Sequence, residues 1–99
     1  MEEVKLKMDD TGDGAFYIMN DDNQIGEMVV QLKDGLLIVD HTEVHPEAEG
    51  RGLAKKMFGV MVDYARSNQL KVRANCPFVH AQFKRHSSEF EDIWKKEPA

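Results

Sequence analysis

The segment from His41 to His45 reads His-Thr-Glu-Val-His, and the chain's single cysteine, Cys76, stands further on, directly before Pro77. These residue types do chemistry. An imidazole relays protons near neutral pH, a carboxylate polarises water or an amine, and a thiolate attacks electrophilic carbon. On a strand, alternation places His41, Glu43 and His45 on one face. Two uses follow. His41 and Glu43 can act as an acid–base pair, or His41, Glu43 and His45 can hold a metal ion with Cys76 approaching as a fourth ligand. The metal reading lacks an H-E-x-x-H pattern, since the glutamate is displaced and the segment reads as strand. Structural readings stand beside both: a histidine satisfied at a sheet edge, a solvated carboxylate, and a cysteine packed as a small hydrophobe.

A second chemical signal lies in Glu49-Gly50-Arg51-Gly52-Leu53-Ala54-Lys55-Lys56, where two glycines sit just ahead of a helical pattern. Glycine is a poor helix former, and a helix start built for stability more often carries Ser, Asp or Asn. The backbone itself is therefore the candidate functional group. A helix start offers unpaired N–H groups and the positive end of the helix dipole, which together favour an anion such as phosphate. Arg51, Lys55 and Lys56 add positive charge. A tight turn with no ligand is the plain alternative. The spacing is neither that of a dinucleotide loop nor that of a Walker loop.

These residues need elements to position them. Val4, Leu6 and Met8 alternate with lysines as a first strand, and Asp9 to Gly14 supplies turn chemistry. Ala15–Met19 reads as a second strand, Asn20 to Asn23 as its turn, and Ile25–Gln31 as a third strand. After Lys33-Asp34-Gly35, Leu36–Val44 is apolar on both alternating sets at its start, which predicts a strand covered on both faces. Leu53, Met57, Val60, Met61 and Tyr64 recur at helical spacing, so a long helix is expected from Gly52 to about Ser67. Lys71–Asn75 is a fifth strand with Val72 and Ala74 inward, Phe78 to about His86 a short helix, and Phe90, Ile93 and Trp94 an apolar tail that packs back. The order predicts an α/β (α+β) fold with a mixed, mostly antiparallel five-stranded sheet. Its long helix follows strand 4, its short helix follows strand 5, and the last crossover makes a parallel pair.

Composition narrows the class. The 99 residues, 41% hydrophobic and 31% charged, suit one soluble globular domain spanning 1–99, with no repeat and no linker to divide it. No apolar run approaches a membrane span, and the N-terminal residues carry no apolar stretch behind a basic end, so a cytoplasmic protein is expected. One cysteine forms no internal disulfide, which fits a reducing compartment. A formal net charge of −5 argues against general nucleic-acid binding.

The run Glu49 to Ala54, between a strand and an amphipathic helix, resembles the acyl-CoA pyrophosphate loop of the GNAT acetyltransferases, Gln/Arg-x-x-Gly-x-Gly/Ala. Gly52 and Ala54 match, and Glu49 stands where Gln or Arg is expected. HTEVHPEAEGRGLAKKM, ARSNQLKVRANCPFV and FKRH together are similar to the small single-domain YjdJ-type N-acetyltransferases. The resemblance implies that acetyl-CoA lies between strands 4 and 5 and gives its acetyl group to an amine acceptor. It places pantetheine at Val44 and His45, the pyrophosphate on Glu49, Gly50, Arg51, Gly52, Leu53, Ala54 and Lys55, and the acetyl group near His41, Glu43 and Cys76. Cys76 then either takes the acetyl group first or lines the thioester pocket. The tyrosine that often serves the superfamily as general acid has no counterpart, and a domain that binds acyl-CoA without turnover is the alternative.

Overall fold

A computed structural model gives the fold and describes residues 1–96. Five strands lie in the order β1-β2-β3-β4-β5: β1 Glu2–Met8, β2 Asp13–Asn20, β3 Asn23–Lys33, β4 Leu36–Val44 and β5 Lys71–Ala74. The first four pair antiparallel through the three expected turns, and β5 pairs parallel with β4. Helix α1, Leu53–Ser67, makes the crossover between them, and α2, Pro77–Arg85, follows β5. The expected fold class is the observed one. A 3₁₀ turn at Pro46–Ala48, which the sequence pattern did not show, carries the chain from β4 towards α1.

The core lies between one face of the sheet and the two helices. Phe16, Ile18, Met28, Val30, Leu37, Val39 and Val72 point into it from the strands, and Leu53, Met57, Met61, Val79 and Phe83 from the helices. Burying each such side chain contributes about 1.5–3 kcal/mol. Phe58 is the aromatic hub, edge-on to Phe78, Phe83 and Phe90. The tail packs back as expected. Val72 N–H donates to Ile93 O, Lys95 N–H donates to Val72 O, and Trp94 lies against Phe83. Arg66 fastens the tail from outside. Its Nε donates to Asp92 Oδ2 at 2.9 Å and one Nη to the Glu89 carbonyl at 2.8 Å. The Arg66 hydrogen bond holds the Asp92 carboxyl below its ordinary pKa.

One expectation is corrected. Leu36 and Ile38 are only half-buried, because both helices pack on the face that holds Leu37 and Val39. The outer face of β4 has no covering layer among the described residues. Apolar residues at the start of β4 reflect the middle of a sheet rather than a second layer.

Candidate functional site

The site grows from an irregularity in β4. Val29 of β3 pairs with His41, but Val30 pairs with Val39, so Asp40 is an extra residue and β4 bulges there. A one-residue bulge reverses which side chains face the core. Before it the inward residues are Leu37 and Val39; after it they are Thr42 and Val44, both half-buried, and His41 and Glu43 turn to the exposed outer face. There His41 Nε2 lies 3.5 Å from Glu43 Oε2.

The bulge also marks where β4 and β5 part. Their pairing ends at Val39 with Ala74, although β4 runs on to Val44. The last link is dense. Val39 O accepts from the N–H groups of Asn75 and Cys76 at 3.0 and 2.9 Å, and Asp40 accepts from Gln31 Nε2 on one side and Asn75 Nδ2 on the other. Beyond this clasp the backbone of β4 has an open side. His45 N–H donates to Ile25 O, so by alternation His41, Glu43 and His45 direct their backbone groups at β3. Thr42 and Val44 direct theirs towards the opening beside β5. Cys76 sits at the mouth of that opening, buried, with its Sγ 3.2 Å from Thr42 Oγ1.

Past the end of β4 and the 3₁₀ turn lies the start of α1. Gly52 is its N-cap, left-handed at φ 72° and ψ 23°, and no side chain caps the helix. Gly50 is also at positive φ, 85°. Neither glycine has a protein atom within 4 Å of where a Cβ would be. Both therefore face space, and their first duty is a backbone turn that side-chain-bearing residues adopt at a cost. A concavity of about 370 Å³ opens here, lined by Val44, Ala48, Glu49, Gly50, Gly52, Leu53, Ala54 and Lys55. Seven of these were named from sequence as one binding surface. With uncapped N–H groups and no acidic residue in the first turn of α1, this wall suits a phosphorylated ligand.

The candidate residues divide into two groups. Val44, Gly50 and Gly52 to Lys55 line one concavity, and Cys76 lies beside Thr42 where β4 and β5 part. His41 and Glu43 lie on the opposite face of β4, divided from Cys76 by the strand itself. His45 N–H is committed to β3, and His45 lines the outer-face concavity with Glu43, Glu27 and Gln24. Arg51 does not line the glycine concavity; its Nη1 donates to Glu2 Oε2 at 3.0 Å. Among the described residues no three His, Cys, Asp or Glu side chains are grouped to hold a metal ion, and His41, Glu43 and Cys76 do not converge. Thr42 and Asp40 went unnoticed in the sequence reading. Their signal was a change of parity, with apolar or β-branched residues at 37 and 39 and then at 42 and 44.

Solved structures share this fold. A GCN5-like protein from Staphylococcus aureus, solved by NMR, superposes with a TM-score of 0.69 at 28% identity, over 95% of this chain and 90% of its own. The ribosomal-protein-alanine N-acetyltransferase of Brucella melitensis biovar Abortus gives 0.64 at 25% identity, over 91% of this chain and 67% of its own. A nourseothricin acetyltransferase gives 0.57 at 27% identity, over 81% and 52%. No curated protein sequence matches the chain. The model of the GCN5-related N-acetyltransferases matches residues 15–93, from β2 through both helices to the tail, and the chain belongs to that family.

Proposed function

We propose that the protein is an acetyl-CoA-dependent N-acetyltransferase acting on an amine acceptor. The observation that carries this reading is the free edge of β4 beyond Val39: Cys76 lies beside Thr42 at one end of it, and at the other Val44 lines a concavity with the uncapped, glycine-flanked start of α1. Its two ends differ as the ends of acetyl-CoA do. The N–H groups from Gly50 to Lys55 suit the pyrophosphate, with Glu49 at the entry of the loop. The Thr42–Val44 edge suits the amide-bearing pantetheine arm, which exchanges hydrogen bonds with a strand edge as another strand would.

Transfer needs a neutral amine to attack the thioester carbonyl, donors for the oxyanion, and a proton for the departing thiolate. Cys76 lines the thioester end in this reading. His41 and Glu43 serve the acceptor's side, where an amine arriving over the outer face of β4 gives up its proton to that pair. Covalent acetylation of Cys76 is the second reading, favoured by its place at the mouth of the opening.

Calorimetric titration with acetyl-CoA tests the binding half, and absence of binding overturns the proposal. Mass spectrometry of the mixture tests the route. An acetyl adduct on wild type that is lost in Cys76→Ala supports the covalent reading, whereas transfer of the acetyl group to an added amine with release of free CoA thiol, and without an adduct, supports direct transfer. Binding with neither outcome across an amine panel assigns the domain to carrying or sensing the acyl-CoA.

A further inference from the structure

Three cations follow one another around the start of α1: Arg51, Lys55 and Lys56. A helix start that binds phosphate has use for all three, yet only Lys55 borders the glycine concavity. Arg51 turns the other way, towards a polar concavity it shares with Asn20, Asp22, Asn23 and His45. Its partner there is Glu2 at the start of β1, Nη1 to Oε2 at 3.0 Å. Lys56 goes to the same residue, its Nζ 3.3 Å from the Glu2 carbonyl oxygen and 4.0 Å from Oε1. One residue thus engages two of the three cations, Arg51 through its carboxylate and Lys56 through its backbone carbonyl, with the carboxylate at the edge of ion-pair distance. Its side chain is 26% exposed, against 48% and 45% for Arg51 and Lys56. The carboxylate is the more fixed partner, and the two cations keep the freedom to leave.

We propose that Glu2 sets the affinity of the site by withholding Arg51, and to a lesser degree Lys56, from the ligand's phosphates, and that phosphate competes with the Glu2 carboxylate for Arg51. The inference rests on the acetyl-CoA reading above. An exposed ion pair to a single carboxylate is weak. A phosphate group offers Arg a bidentate partner and carries more negative charge, so the exchange is favourable once the ligand is bound. Breaking the Glu2 contacts nevertheless subtracts from the binding free energy, and the carboxylate repels the incoming phosphates. Glu2 is therefore a restraining residue that does not touch the reacting atoms.

The test reads an increase in affinity, which loss of a merely structural tie would not give. At low ionic strength, Glu2→Gln tightens acetyl-CoA binding about fivefold, the worth of one exposed ion pair no longer broken. The double variant Glu2→Gln/Arg51→Gln loses most of that gain. Glu3→Gln makes the same change of charge on the opposite face of β1 and shifts affinity by less than about twofold. Glu2→Gln binding that is unchanged or weaker overturns the proposal, as does an equal gain in Glu3→Gln. Failure of wild type to bind acetyl-CoA overturns the underlying reading instead, so the two failures are distinguishable.

Discussion

Replacing Gly52 by alanine separates what the glycine does for the fold from what it does for a ligand. At φ 72° and ψ 23° the new Cβ crowds its own carbonyl, which costs roughly 1–2 kcal/mol of stability. For a domain of this size each 1 kcal/mol lowers Tm by about 4–8 °C. No other protein atom lies within 4 Å of that Cβ, so the loss stops there and the helix stays in place. Gly52 lines the concavity proposed to take the pyrophosphate, and the methyl group is expected to enter it. Holding phosphate one methyl group further from the N–H groups forfeits about one charge-assisted hydrogen bond, roughly 1.5–3 kcal/mol. That corresponds to about ten- to a hundredfold in Kd. Gly35 provides the matched control: φ is 78°, its Cβ would also meet nothing within 4 Å, and it lies in the β3–β4 turn away from the site. Thermal melts and calorimetry with acetyl-CoA, run well below Tm, are the assays. Gly52→Ala and Gly35→Ala are expected to melt early by similar amounts, and only Gly52→Ala to bind weakly. Equal affinity in the two variants would refute the reasoning, because the backbone at Gly52 would then not approach a ligand.

Two further predictions concern the scaffold. The Arg66 hydrogen bond lowers the folded-state pKa of Asp92 below 3.8, so this carboxylate stabilises the fold above that pH and the contribution fades as pH falls through the lowered value. Wild type should exceed Asp92→Asn in denaturant midpoint at neutral pH, and the difference should shrink below about pH 4; a constant difference down to strong acid would contradict the linkage. Gly59 sits exposed in the interior of α1 with open space around it, so Gly59→Ala should raise stability by about 0.5–1 kcal/mol, read as a higher Tm with unchanged acetyl-CoA affinity.

The elements were legible because their signals are local. Lys-spaced Val4, Leu6 and Met8, the Asp9–Gly14 and Lys33–Gly35 turns, and the helical recurrence of Leu53, Met57, Met61 and Tyr64 each act within a few residues. The glycine turn ahead of α1 was legible for the same reason, since Gly50, Gly52 and the helix start are neighbours in sequence. Contacts between distant residues were not legible. Nothing near Arg51 announces that Glu2, 49 positions earlier, takes its guanidinium. Charge pattern marks which residues are cations, and only the fold decides which carboxylate reaches them.

The bulge at Asp40 shows why the site was harder to read than the fold. Strict alternation along β4 would have carried His41 and Glu43 inward behind Leu37 and Val39, onto the side where Cys76 lies, and would have turned Thr42 outward. One inserted residue exchanges the two sets, so the titratable pair faces solvent and the Cys76 thiol meets a hydroxyl. The same residue ends the register with β5, because its carboxylate joins Gln31 of β3 to Asn75 at the point where the strands part. The bulge therefore coincides with two changes: the pairing of β4 with β5 ends there, and the side chains beyond it exchange faces. In the proposed reading, an acyl donor along the inner edge and an acceptor over the outer face meet only where that edge is free, between Asp40 and Val44. On that reading Asp40, which carries none of the chemistry, is the residue on which both halves of the proposed site depend.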